Sequence, residues 1–178
     1  MMGPFKTVCA DPPWPFKDKL PGKGRGAVKH YKPMPIAQIR SFLRDHPEIV
    51  LAPDVRLLLW RVASMQVEAL MVMMDWGFIP KAEMVWVKQW PIATSRYMGM
   101  GRQVRNEHET AIIGTSGRPE RLSKSVRSTF TAPTGRHSEK PELFYDLVEE
   151  FSPGPYCELF ARRERPGWTC FGDELEST

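Results

Sequence analysis

The sequence of 178 residues predicts an α/β domain built on a largely parallel sheet. Two observations predict it. Short runs of apolar and β-branched residues, each bounded by Gly, Pro or charge, are separated by segments whose apolar residues recur at helical spacing. Strands separated by helices pack as a parallel sheet, and such sheets bind ligands at the carboxyl ends of their strands. The length suits one domain over residues 1–178.

About seven strands are predicted: Phe5–Ala10, Arg56–Trp60, Ala82–Val87, Thr110–Gly114, Val126–Phe130, Tyr156–Phe160 and Trp168–Phe171. A helix over Ile36–Arg44 turns Ile36, Ile39, Phe42 and Leu43 to one face. A second over Ala63–Trp76 places Ala63, Val67, Leu70, Met71 and Met74 at helical spacing, with Gly77 as its stop. Met71, Met73 and Met74 read as helix packing rather than a ligand site. A third helix, Pro141–Phe151, has Pro in its first turn, Leu143, Phe144, Leu147, Val148 and Phe151 inward, and the pair Pro153–Gly154 after it. Two long irregular stretches, Trp14 to Pro35 and Lys88 to Glu109, and a shorter one from Thr115 to Ser125, are the candidates for functional loops.

Composition narrows the class. An apolar share of 42% with six tryptophans supports a packed core. The three cysteines, Cys9, Cys157 and Cys170, each lie in a strand-like run with no CxxC pair and no His at ligand spacing, so they read as buried free thiols in a reducing cytoplasm, with no metal site. No window reaches the ~18 apolar residues of a membrane span. No GxGxxG follows a strand, so a dinucleotide phosphate cradle is not expected.

The net charge of +4 is unevenly spread. Residues 15–33 carry six Lys/Arg against one Asp, residues 88–140 ten against four acids, and residues 141–178 three Arg against nine acids. Basic loops beside an acidic remainder favour a polyanion partner, although solvated loops would show the same counts.

The most informative stretch is Cys9-Ala10-Asp11-Pro12-Pro13-Trp14-Pro15-Phe16, directly behind the first strand. Asp and Pro could simply end the strand. The alternative is chemical. The lone pair of an adenine amine is delocalised into its ring, and methylating it requires acceptors that hold the amine hydrogens while nitrogen becomes tetrahedral. A carboxylate and a proline-held carbonyl supply them in advance. A flipped base also needs an aromatic face, which Trp14 offers.

Asp-Pro-Pro-Trp resembles the amino-methyltransferase signature Asp/Asn-Pro-Pro-aromatic. Further ordered motifs cover nearly the whole chain: HYKPM at 30–34, LLLWRVAS at 57–64, DWGFIPKAEMVWVK at 75–88, MGMGRQVRNEHETAIIGTSG at 98–117, RHSEKPE at 136–142 and ELFARRERPGWTCFGDE at 158–174. Together they resemble the MT-A70-like adenine N6-methyltransferase family: the eukaryotic mRNA enzymes and, more closely, their small bacterial and phage DNA relatives. The resemblance implies a Rossmann-like S-adenosylmethionine-dependent fold, circularly permuted, with the catalytic motif first and the cofactor motif at the C-terminus.

It also implies roles. Asp11 would bind the target amine near the methionine end of S-adenosyl-L-methionine, Pro12 would offer its carbonyl, Pro13 would stiffen the motif and Trp14 would stack. Lys140 would pair with the cofactor carboxylate, Phe160 and Arg162 would line the adenosine site, and Gly172, Asp173 and Glu174 would close around ribose and adenine. Tyr31 and Glu109 would border the target base. Arg105 joins the substrate-binding set, with a local Glu109–Arg105 pair as its structural alternative. Lys140 as an exposed helix-start residue, Arg162 as part of a solvated charge run and Tyr31 as a loop anchor remain the competing readings; Arg163 and Arg165 read as solvated. His30 and His137 are assigned structure or phosphate contact.

Two departures bear on function. Relatives usually carry Gly-Asn-Glu where this chain has Gly172-Asp173-Glu174, and aspartate cannot donate as an amide does. Only Ala161 to Gly167 separate the last two strands, too few for a packing helix, so the sheet is expected to be thinly covered there, which suggests a homodimer or a partner subunit. The expected activity is adenine N6 methylation in nucleic acid, DNA before RNA. An RNA enzyme, a non-catalytic nucleic-acid-binding subunit, and a cytosine or protein-glutamine methyltransferase are the alternatives.

Overall fold

The computed structural model describes residues 3–15, 33–90, 99, 103–135 and 139–172. One sheet of seven strands organises them: β1 Phe5–Ala10, β2 Leu51–Arg61, β3 Ile79–Gln89, β4 His108–Ser116, β5 Thr129–Pro133, β6 Tyr156–Leu159 and β7 Trp168–Phe171, in the order β5-β3-β4-β2-β1-β6-β7. Four of the six neighbouring pairs are parallel, and β4 is antiparallel to both β2 and β3. The expected largely parallel sheet is thus a mixed one, with a single reversed strand wedged between two parallel ones.

Three helices cover it: α1 Ile36–Asp45, α2 Gln66–Asp75 and α3 Glu142–Phe151. Helices α1 and α2 pack on one face with Val8, Leu57, Leu59 and Cys157, and α3 packs on the other with Cys9, Leu58, Trp60 and Phe130. The alternation of Leu57, Leu58 and Leu59 between the two cores follows from the two-residue period of a strand buried on both faces.

The ends of several elements differ from their sequence limits. Strands β2, β3 and β4 run beyond their apolar runs because backbone pairing continues past the last buried side chain: Lys88 donates its amide to the Glu107 carbonyl at 2.8 Å. Strand β5 begins at Thr129, not Val126, because the alternation of Thr129 to Pro133, with Phe130 and Ala132 buried, sets the register. Strand β6 stops at Leu159, since Phe160 takes φ of 61°, a left-handed conformation costly for an aromatic residue.

Helix α2 is preceded by a 3₁₀ turn over Ala63–Met65 and ends at Gly77, whose φ of 84° favours glycine. Its buried face is Ala69, Val72 and Met73, whereas Val67 and Met74 are exposed, Met74 at 57%. The inward face expected from the spacing is therefore wrong. The helix is apolar on nearly every side, so periodicity cannot choose its rotation, and docking against β2, β3 and α1 does. On α3, likewise, Leu143 is exposed and Tyr145 is buried in its place.

The sheet has two functional ends. Strand β4 runs opposite to β2, so Ser116 lies beside Val55 at the start of β2. There Arg118 donates its amide to Asp54 at 2.7 Å, and the buried Arg56 holds the Ser152 hydroxyl at 2.5 Å and the Glu120 carbonyl at 3.1 Å. The basic segment Arg118–Arg127 thus begins at the amino end, and Asp11 lies at the carboxyl end.

The rotation of α2 is testable by chemical denaturation. Met73→Ala should cost about 2–5 kcal/mol as a core truncation, whereas Met74→Gln should stay within about 0.5 kcal/mol. The reverse ranking would place the helix the other way round.

Candidate active site

Asp11, the first residue past β1, lies between the carboxyl ends of β2 and β6, the two neighbours of β1. Its amide donates to the Leu159 carbonyl at 3.4 Å, which ties the motif to β6. The next three residues fold tightly: the Trp14 amide donates to the Pro12 carbonyl at 2.8 Å, and the Met34 amide donates to the Pro13 carbonyl at 2.9 Å. Pro12 keeps a second lone pair for another donor. Trp14 is 2% exposed, sits in the α1/α2 core, and donates its indole N–H to the Trp60 carbonyl at 3.0 Å. As placed, this ring is both a packed anchor beneath the motif and part of the cleft wall.

A cleft of about 280 Å³ opens above these residues, and Asp11, Pro12, Trp14, Lys88, Glu109, Lys140 and Arg162 are among those lining it. Lys140 Nζ stands 2.7 Å from Asp11 Oδ2 and 3.1 Å from Glu109 Oε2, 5.0 Å above the Trp60 ring. Its side chain is only 8% exposed, so it is not a solvated helix-start lysine. The loop that carries it is pinned on both sides. Arg163 reaches Glu139 at 2.9 Å and also Glu142, and Arg165 binds Glu142. Arg165, expected to be solvated, is 10% exposed and lies 3.4 Å over the Tyr145 ring, because α3 and the β6–β7 connection close around it.

Glu109 completes the group from β4. Its Oε1 accepts from Lys88 Nζ at 2.6 Å, so acids and ammoniums alternate in the order Asp11, Lys140, Glu109, Lys88. Lys88 was not singled out in the sequence, where it stood at the edge of a presumed loop. The register explains the contact. Trp86 pairs with Glu109, and Lys88 follows two residues later on the same face, a diagonal neighbour within reach of a long side chain. Burial alone would raise the Glu109 carboxyl, but the charges and hydrogen bonds of Lys140 and Lys88 outweigh it and hold the group at about 2. Burial would likewise favour neutral Lys140, and Asp11 and Glu109 reverse that, keeping the ammonium above its ordinary range.

The structure divides the remaining residues. Arg162 lines the cleft, whereas Phe160 and Gly172 line a neighbouring groove of about 630 Å³ beside α1, with Phe160 packed on Phe42 at 4.4 Å. A Cβ at Gly172 would collide with the Ala161 carbonyl, so this position requires glycine. Arg105 is exposed and does not line the cleft; the ion-pair partners given for Glu109 are Lys88 and Lys140. Tyr31, Asp173, Glu174, His30 and His137 lie outside the described residues. Cys9, Cys157 and Cys170 are free thiols, the first two buried. Among the described residues there is no group of three or more His, Cys, Asp and Glu side chains that could hold a metal ion, and no helix is long and apolar enough to cross a membrane.

A mixed seven-stranded sheet with an acid, a diproline and a ring at the carboxyl end of a central strand is a Rossmann-like methyltransferase fold. The family model described as MT-A70 matches residues 5–174, and the chain belongs to that family. It is 29% identical over 99% of its length to the human N(6)-adenosine-methyltransferase catalytic subunit METTL3, covering 29% of that protein. It is 28% identical over 99% to the Drosophila melanogaster N(6)-adenosine-methyltransferase MT-A70-like protein, covering 28% of it. To the human N(6)-adenine-specific methyltransferase METTL4 it is 27% identical over 96%, covering 37%. The chain spans well under half the length of these relatives.

The ion pairs set an acid limb. Glu109 is held below its ordinary value of 4.5, so the stability it contributes is complete above about 4.5 and is lost as the pH falls towards about 2. Urea melts of the wild type and Glu109→Gln should converge over that interval; a gap independent of pH would exclude the pairing.

Proposed function

We propose that this chain is an S-adenosylmethionine-dependent methyltransferase acting on the N6 amine of adenine in nucleic acid. The observation that carries it is the carboxylate of Asp11 at the mouth of the cleft, paired at 2.7 Å with a buried lysine, in a chain of the MT-A70 family. The polar groups fit the cofactor: Lys140 offers an ammonium for a carboxylate, Asp11 a carboxylate for an amine, and the groove at Phe160 and Gly172 gives room for an adenosine next to Arg162. Bound there, S-adenosylmethionine supplies an electrophilic methyl group on sulfonium.

The protein's own residues do the rest. Asp11 and the Pro12 carbonyl accept the amine hydrogens and turn the nitrogen lone pair outward, a preorganised arrangement needing no movement at the moment of attack. Glu109 carries an ammonium on each oxygen and stays ionised at neutral pH, so it borders the base as an acceptor and not as a proton-transfer base. Lys140 stays charged and fixes both acids. The surplus proton of the methylated amine passes to Asp11 or to solvent. Trp14 supports the motif from below and presents the part of its ring that lines the cleft to the base.

DNA is the substrate favoured by the resemblance to small bacterial and phage relatives. RNA is the second reading, favoured by the N(6)-adenosine names of the relatives. The basic sequence around the cleft supports either polyanion. We also propose a homodimer or a partner subunit, supported by the helix-free β6–β7 connection beside the 630 Å³ groove; a monomeric mass in light scattering would exclude it. A reducing compartment is proposed from the three free thiols.

Incubation with labelled cofactor and DNA, RNA or protein, followed by digestion to nucleosides or amino acids, should place the label on N6-methyladenine. Asp11→Ala should abolish transfer while cofactor binding in calorimetry and the melting temperature are largely retained; near-normal turnover would refute the mechanism. Trp14→Ala should abolish transfer too, with a loss of about 3–5 kcal/mol in stability because a buried ring is removed.

A further inference from the structure

We propose that Lys88 is a positioning residue for this reaction: by holding Glu109 through Oε1, it leaves Lys140 committed to Asp11. The inference rests on the functional reading above and extends it to a residue outside the motif set.

The distances carry it. Lys140 lies closer to Asp11, at 2.7 Å, than to Glu109, at 3.1 Å, while Glu109 has its shortest contact, 2.6 Å, with Lys88. Two carboxylates and two ammoniums alternate, so this group is formally neutral. Lys88 is mostly buried, with its Nζ 5.1 Å over the ring of Trp86, and is held on a strand rather than a loop. Without it, two carboxylates would compete for one ammonium in a poorly solvated cleft, where an unpaired charge is costly. Glu109 would then draw Lys140 from Asp11, and the acid that must accept the amine would lose its fixed orientation. The rival role for a lysine here is direct contact with a nucleic-acid phosphate, which would leave Glu109 and Asp11 undisturbed.

The test is a double-mutant cycle on kcat/KM for an adenine-containing oligonucleotide, with Lys88→Met, Glu109→Gln and the double variant. Lys88→Met should lose about tenfold or more, mostly in kcat, and the double variant should fall no further than the worse single variant. Lys88→Arg should recover most of the loss, and Lys88→Gln serves where the Met variant does not fold. Calorimetry should show cofactor affinity retained. Losses that multiply, or wild-type kinetics in Lys88→Met, overturn the inference alone. So does a salt dependence of binding weakened by about one charge in Lys88→Met, the signature of a phosphate contact. A wild-type protein that methylates no adenine substrate overturns the functional reading and this inference with it.

Discussion

One buried ammonium governs the carboxyl end of the sheet. Lys140 is withdrawn from water, and that is tolerable only because two carboxylates from two different strands meet it and an indole face lies against it. Each partner is therefore constrained in turn. Asp11 must sit immediately past β1, Glu109 must begin β4 at the same level, and the loop before α3 must be pinned by Arg163 and Arg165 so that Lys140 points inward. The contacts that satisfy the lysine are the same ones that orient the acid expected to grip an amine.

The reversed strand makes this meeting possible. In a wholly parallel sheet the carboxyl end gathers only residues that follow strands. Strand β4 runs the other way, so its opening residues, His108 and Glu109, join the ends of β2 and β3, and its closing residues go to the far end. An acid that starts a strand thereby faces an acid that follows one, and a lysine near the end of β3 can reach between them.

The same reversal sorts the positive charge. The basic stretch that reads as continuous from residue 88 to 140 is divided by topology. Lys88 and Lys140 stand in the cleft, both ion-paired, while the segment from Arg118 is tied to Asp54 and Arg56 at the opposite end. Seven residues of extended strand from Asp54 to Arg61 separate the two ends by roughly 23 Å. The charge that sequence counting assigns to one surface therefore belongs to two, and the cleft itself is close to charge-balanced.

The sequence by itself determined the α/β class, the position of most strands, the stop of α2 at Gly77, and Asp11 and Lys140 as the pair to watch, because local chemistry marks these features: strand-like runs, a left-handed glycine, and an acid locked between a strand and two prolines. Tertiary structure decided what no local pattern encodes. It decided which face of an all-round apolar helix is buried, that Trp14 is a packed anchor, and that Arg165 is sheltered. It also decided that Lys88 belongs to the site, since a lysine two residues past Trp86 becomes a diagonal neighbour of Glu109 only once β3 and β4 have paired in one register. The physical reason is the same in each case: orientation and counter-charge are properties of contacts between elements, and those contacts exist only after the chain has folded.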